Sequence, residues 1–262
     1  MGLVSYSEAD ANLFYGRDNA VKELLQKIKN KPLVVVSGAS GTGKSSVIKA
    51  GVLPVLRKEG NTILPIIRPG KTPLEVIAAE QPGLNDQLQG GPCVLVIDQY
   101  EELITQCLKL EDRIAFEQQL ASWLRQYANL KIILSVRSDF EPQFQSEALS
   151  SWWLPGRYVV PGFSLEEIRE IITKPVAQTV LFYEPEELVE QLVEEVSQAP
   201  GALPLLSFTL SELYHAYLKS GREDRSLSQN DYQQLGGVIG ALRTRADAIY
   251  QSLLPEEQKQ HA

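Results

Sequence analysis

The stretch Gly38-Ala39-Ser40-Gly41-Thr42-Gly43-Lys44-Ser45 follows directly on four apolar residues, Leu33-Val34-Val35-Val36. An unbroken apolar run of that kind reads as the core of a strand buried on both faces. Glycines let the chain behind it turn tightly enough to present successive backbone N–H groups. The spacing fits G-x-x-x-x-G-K-[ST] at every required position. In such a loop the N–H groups cradle phosphate oxygens, and the following helix adds the positive end of its dipole. Lys44 is expected to reach the β- and γ-phosphates and Ser45 to ligate Mg2+ through its hydroxyl, with Ser46 completing the binding set. The run Ser46-Val47-Ile48-Lys49-Ala50-Gly51-Val52-Leu53 supplies the helix this reading needs. A glycine-rich turn without a ligand is the alternative, and the strand–loop–helix context weighs against it.

Composition bounds the rest. The 262 residues suffice for one large or two modest domains, and 44% hydrophobic with 22% charged residues is a globular balance. No long uncharged apolar stretch predicts a membrane span. The opening Met1-Gly2-Leu3-Val4-Ser5-Tyr6-Ser7-Glu8 lacks the basic start and apolar run of a secretory signal. Two cysteines, Cys93 and Cys107, cannot build a disulfide framework, which points to free thiols in a reducing, cytoplasmic setting. A net charge of −8 argues against non-specific binding to a nucleic-acid backbone, which needs a basic face.

Along the chain, helical periodicity at 18–30 precedes the strand at 33–37, and a helix after the loop is expected to reach about Arg57, kinked or ended early by Pro54. Residues 62–68 read as a strand that Pro65 confines to a sheet edge or a bulge. A short helix at 73–89 is broken by Pro82-Gly83. Further strands are expected at 93–97, 131–136 and 157–160, with a helix at 112–127. Strands alternating with helices imply right-handed crossovers and a parallel sheet in a three-layer α/β architecture. After Pro161-Gly162 the pattern changes. Ser164-Leu165-Glu166-Glu167 is a capping box opening a helix that should end before Pro175. Pro185 is expected at the first position of the next helix, with others at 203–219 and 239–254 and no strand after about 160.

Asp98 ends the apolar run 93–97, where a carboxylate can hold Mg2+ at the carboxyl edge of a sheet, although an N-cap aspartate uses the same boundary. Glu101 and Glu102 follow it and compete to orient an attacking water; either could instead be a solvated acid in a first helical turn. Strand 131–136 ends in Arg137-Ser138-Asp139. Arg137 there can report a γ-phosphate through charge-assisted hydrogen bonds, or pair with Asp139 or Glu141 at the surface.

Together these features resemble the STAND class of signal-transduction ATPases, relatives of the NACHT, NB-ARC and AAA+ proteins. Phe14-Tyr15-Gly16-Arg17 is similar to the class's hhGR element, which implies that Gly16 and Arg17 lie against adenine and ribose. Val96-Ile97-Asp98-Gln99-Tyr100-Glu101-Glu102 resembles the NACHT pattern hhDGxDE, an alignment that favours Glu102 as the catalytic acid and puts Gln99 in place of a glycine. Val136-Arg137 resembles the arginine sensor. Gly201-Ala202-Leu203-Pro204-Leu205-Leu206 resembles the GxP element of a helical lid, whose proline (here Pro204) approaches the base. The match is closest to the novel STAND group found in bacterial multidomain proteins with β-propeller repeats, which also carries a pattern like Gly236-Gly237-Val238-Ile239-Gly240-Ala241-Leu242.

The resemblance implies Walker A and Walker B elements and a P-loop domain over 1–162 whose five strands run in the order 5-1-4-3-2. It implies an all-helical lid over 163–237 and the start of a winged-helix domain over 238–262. It implies ATP and ADP with Mg2+ as ligands, slow hydrolysis, a downstream sensor (β-propeller repeats among the candidates), an effector, and ATP-dependent homo-oligomers. The expected function is a nucleotide-dependent molecular switch; the alternatives are a remodelling motor and a nucleotide-binding scaffold without turnover.

Overall fold

Strands as buried as Leu33–Gly38 and Cys93–Ile97 need cover on both faces, and helices from the same unit supply it. The computed structural model describes residues 5–80, 84–144, 147–198, 203–238, 240 and 243. The chain divides into two units, Ser5–Gly162 and the residues from Phe163 onward.

The first unit opens with a 3-10 turn at Glu8–Leu13 and α1 (Asp18–Asn30), then β1 (Leu33–Gly38). After the glycine-rich loop come α2 (Lys44–Ser46), a π-helical stretch Val47–Val52, and α3 (Leu53–Lys58). β2 (Thr62–Ile63), α4 (Pro73–Glu80), α5 (Leu84–Gln89), β3 (Cys93–Ile97), α6 (Glu102–Thr105) and α7 (Leu110–Gln126) follow. The unit ends with β4 (Leu130–Arg137), a 3-10 turn at Glu141–Gln143, α8 (Ser150–Gly156) and β5 (Arg157–Val159). The sheet order is β2-β3-β4-β1-β5, the expected order read from the other edge, and every pairing is parallel.

Alternation along the strands builds two cores. Val34, Val36, Val94, Val96 and Ile133 face Leu24, Ile28, Ile48, Leu53 and Leu56 on one side. Leu33, Val35, Leu95, Ile97, Ile132 and Leu134 face Phe116, Leu120, Tyr100 and Trp153 on the other. Each such fully buried aliphatic side chain contributes roughly 1.5–3 kcal/mol, so this double-faced sheet is a rigid platform for the loops at its carboxyl edge.

Two local expectations are corrected here. Of the two outcomes expected at Pro54, an early end does not occur: the chain stays helical to Lys58, and Pro54 lies in the first turn of α3. Just before it the Leu53 N–H reaches back to the Ile48 carbonyl, a five-residue span, and this wider turn accommodates the pyrrolidine ring. The second strand is shorter than 62–68: Pro65 interrupts the ladder, and pairing resumes only as an isolated bridge from Ile67 to Ile97. Pro82-Gly83 lies outside the described residues, between α4 and α5.

The second unit contains α9 (Leu165–Gln178), β6 (Phe182–Glu184), α10 (Glu187–Gln198), α11 (Leu203–Ser220), β7 (Ser226–Ser228) and α12 (Gln229–Leu235). Its core joins Ile168, Ile172, Leu192, Val196, Leu206, Leu213 and Tyr232. The capping box is formed: the Glu167 N–H donates to Ser164 Oγ, and the Ser164 N–H donates to the Glu167 carboxylate. Three expectations change. Pro175 lies inside α9, which runs three residues past it. Pro185 precedes α10 by two residues, its carbonyl accepting the Leu188 N–H. The unit is also not all-helical, since β6 and β7 pair in parallel from Phe182↔Ser226 to Glu184↔Ser228. Three-residue strands leave no periodic signal, and partners more than forty residues apart meet only through the tertiary fold. The expected helix at 239–254 and winged-helix start at 238–262 lie outside the described residues, apart from Val238, Gly240 and Arg243. Among the described residues no helix is long and apolar enough to cross a membrane.

Candidate nucleotide site

β1 and the helix behind it hold the loop Gly38–Ser45 from both ends. Gly43 is the helix N-cap in the left-handed region, with φ +85°, where an L side chain would be strained, and no side-chain oxygen caps the helix. A Cβ at Gly38 would meet Thr42 Oγ1 at 2.9 Å, so the first glycine is needed for closure. Ala39 and Ser40 are exposed at the tip. The Lys44 ammonium folds back along the loop and donates to the carbonyls of Gly38 and Ala39 at 2.9 and 2.8 Å. Burial pushes this ammonium below the usual lysine value, while the charges of Glu101, Asp98 and Asp139 oppose the shift and Arg137 adds to it.

β3 delivers Asp98 to the same place. It is 1% exposed. Its Oδ1 accepts from Ser45 Oγ at 2.7 Å and from Ser135 Oγ at 2.6 Å, and its Oδ2 accepts from the Lys49 ammonium at 2.7 Å. Burial alone would raise its carboxyl, but the donors from Lys49, Ser135 and Ser45 outweigh it and hold the group below the usual aspartate range. The fold therefore joins Ser45 to Asp98, residues 53 apart in the chain.

Gln99 turns the chain after β3 with φ +56°, a left-handed residue at the position where the resembling pattern has glycine. Its N–H donates to Ser135 Oγ at 2.9 Å, and the next N–H, of Tyr100, donates to the Ser135 carbonyl at 2.8 Å. This turn sends the two glutamates apart. Glu101 Oε2 accepts the Arg137 N–H at 3.2 Å, at the end of β4, and its charge is the largest one supporting the Lys44 ammonium. Glu102 Oε2 instead accepts the Gly70 N–H at 3.1 Å, in the segment between β2 and α4.

The β1–β4 register places Arg137 opposite Gly38, the first residue of the loop. Its guanidinium forms a two-pronged pair with Asp139 at 3.1 and 2.6 Å and lies over the Phe140 ring. Arg17, with Gly16 before it at φ +73°, is 1% exposed. It donates to the Thr42 carbonyl at 3.0 Å and to the Gly162 carbonyl at 3.5 Å, bracing the loop from behind. Ser46 Oγ accepts the Tyr6 N–H at 3.2 Å. Pro204 is the second residue of α11, in the other unit, and Gly201 and Ala202 before it lie outside the described residues. In the glycine motif near 236–242, Val238 is fixed at both ends: its N–H donates to Glu195 and its carbonyl accepts from Thr209.

Lys49 and Ser135 are the residues that sequence reasoning missed. A signal existed for each. Lys49 follows Ser45 by four positions, close to one helical turn, and Ser135 is the lone polar residue after Ile132-Ile133-Leu134.

The donor set fits a nucleotide. Uncapped helix amides, an exposed glycine-rich tip and a lysine beside it suit an anion. Among the described residues no group of three or more His, Cys, Asp or Glu could hold a metal ion without help. One hydroxyl joined to one carboxylate suits Mg2+, which binds through few protein ligands together with substrate phosphates.

A glycine-rich loop on β1, an acid ending β3 and a strand between them are the marks of the P-loop ATPase fold. The chain belongs to the family described as Novel STAND NTPase 1, whose model matches residues 1–262. Solved structures with the same fold include a Walker-type ATPase of Pyrococcus abyssi, at 15% identity and a TM-score of 0.60 over 95% of this chain and 76% of that one. The ORC2 protein of Aeropyrum pernix, solved in ADPNP–ADP complexes, matches at 16% identity and 0.63 over 83% and 67%. Domain III of the replication initiation protein DnaA of Thermotoga maritima matches at 20% and 0.58 over 81% and 90%. The chain is thus a STAND-type NTPase with a P-loop ATPase fold.

Proposed function

We propose that this module binds ATP with Mg2+, hydrolyses it slowly, and uses the difference between its ATP and ADP states to switch a larger signalling protein. The observation that carries the reading is the Ser45–Asp98 hydrogen bond at 2.7 Å, which unites the loop that would hold phosphates with the acid that would hold the metal.

In this reading the loop amides and Lys44 bind the phosphate chain, with Lys44 leaving the carbonyls of Gly38 and Ala39 for the β- and γ-oxygens. Ser45 and Asp98 would hold Mg2+, which would supply charge neutralisation for the phosphate chain. Glu101 orients the attacking water and accepts its proton, a role supported by its anchorage on the Arg137 N–H and its influence on Lys44. Arg137 can leave the solvent-exposed Asp139 for a γ-phosphate at little cost, because an exposed ion pair is weak. An interaction made with ATP and not with ADP is what a switch requires. Pro204, a downstream sensor, an effector and ATP-dependent assembly belong to the same proposal through the family resemblance. A cytoplasmic setting suits the two free cysteines.

Calorimetry with ATP tests the reading. Lys44→Ala removes the one cation of the loop and is expected to weaken ATP binding by about tenfold or more. Unchanged affinity in a folded Lys44→Ala protein would overturn it.

A further inference from the structure

Asp98 carries its negative charge at 1% exposure. Ser45 and Ser135 satisfy Oδ1 but bring no charge. The charge that answers Asp98 comes from Lys49, whose ammonium lies 2.7 Å from Oδ2 and whose side chain is 16% exposed. Arg68 approaches the same oxygen only to 4.0 Å and is 54% exposed, so solvent screens it. A buried carboxylate deprived of its partner is strongly unfavourable. The two oxygens thus face different tasks, Oδ1 toward the hydroxyl of the loop and Oδ2 toward a fixed cation.

We propose that Lys49 is a resident counter-ion that relieves the site of dependence on a divalent metal, so that ADP is held almost equally well with and without Mg2+. The inference rests on the nucleotide reading of the loop. Its physical basis is charge accounting. A diphosphate entering beside an uncompensated Asp98 would be repelled unless a metal arrived with it. Beside an Asp98 already paired with Lys49, the nucleotide meets a neutral pair. A divalent ion then adds little for ADP, and its main gain is reserved for the further charge of a γ-phosphate. The π-helical stretch Val47–Val52 holds Lys49 in this position, one turn after Ser45.

The test is ADP affinity measured by calorimetry in excess Mg2+ and in excess EDTA. Wild type is expected to differ between the two by less than about threefold, whereas Lys49→Met should bind at least about tenfold more weakly in EDTA and recover in Mg2+. Lys49→Gln keeps a donor to Oδ2 without the charge and should behave like Lys49→Met; it also serves if the methionine variant does not fold. Lys49→Arg restores the charge and should behave like wild type. Wild type that binds ADP but shows the same metal dependence as Lys49→Met and Lys49→Gln overturns the counter-ion role alone. Wild type that binds no ADP in either condition overturns the nucleotide reading and this inference with it.

Discussion

Between Asp98 and Glu102 the chain turns at Gln99, and beyond the turn the two glutamates take different partners. Gln99 at φ +56° occupies a conformation that costs an L-residue roughly 1–2 kcal/mol relative to glycine. The turn it makes is held by Ser135, through two hydrogen bonds from successive N–H groups. Because of this turn, Glu101 lies with Arg137 and Glu102 with Gly70. The family pattern favours Glu102 and the geometry favours Glu101, so the two readings separate experimentally. Glu101→Gln is expected to retain ATP binding while lowering the hydrolysis rate by about 10²–10⁴-fold, the usual contribution of a positioned base. Glu102→Gln should leave the rate within a few-fold of wild type, since its amide oxygen can still accept the Gly70 N–H and only a charge is lost. Phosphate-release assays on both variants decide between them, and the opposite ranking would return the role to Glu102.

Helix packing fixes how near the loop's helix can approach its neighbours. Gly51, within the π-helical stretch, would with a Cβ stand 2.4 Å from Val21 Cγ2 and 3.2 Å from Phe14. Alanine has the higher helix propensity by about 1 kcal/mol, so an exposed glycine here would be improved by the exchange. Overpacking, at typically 1–3 kcal/mol, is the larger effect. Gly51→Ala should therefore lower the urea-unfolding free energy by about 1–3 kcal/mol before any propensity gain. Adding Val21→Ala should recover part of the loss by opening the same space, a non-additivity that a double-mutant cycle reads directly. A stabilised Gly51→Ala protein would show that α1 and the loop helix are not in close contact.

At the scale of the whole chain, both units depend on carboxylates kept ionised in protected places. In the first unit burial opposes ionisation of Asp98 and Glu141, but donors from Lys49, Ser135 and Ser45, and from Arg157 and Ser37, win and hold both low. In the second unit burial likewise opposes ionisation of Asp231, and donors from Arg222 and Ser228 hold it low. Since each pKa is lower folded than unfolded, each contributes stability above the ordinary carboxylate range and loses it as pH falls through the folded value. The chain should therefore keep its stability from neutral pH down to about pH 4 and lose it progressively below that. Circular dichroism melts across this range check the sign; a melting temperature that rises below pH 4 would contradict it.

What the sequence by itself determined was the part written in contiguous residues. The strand Leu33–Gly38, its loop through Ser45, and the apolar run closed by Asp98 are each a local pattern whose chemistry is set by spacing along the backbone. The sheet order was legible through the family likeness, and two-sided burial through the unbroken apolar strands. What only the tertiary structure decided were the partners across elements: Lys49 and Ser135 on Asp98, the divergence of Glu101 from Glu102, and the pairing of β6 with β7. Pro54 and Pro175 belong there too: Pro54 sits in a first turn behind a wider one, and α9 continues past Pro175 because its packing outweighs one lost hydrogen bond. Local pattern states what a segment can do; which charge meets which is decided when burial forces every polar group to find a partner.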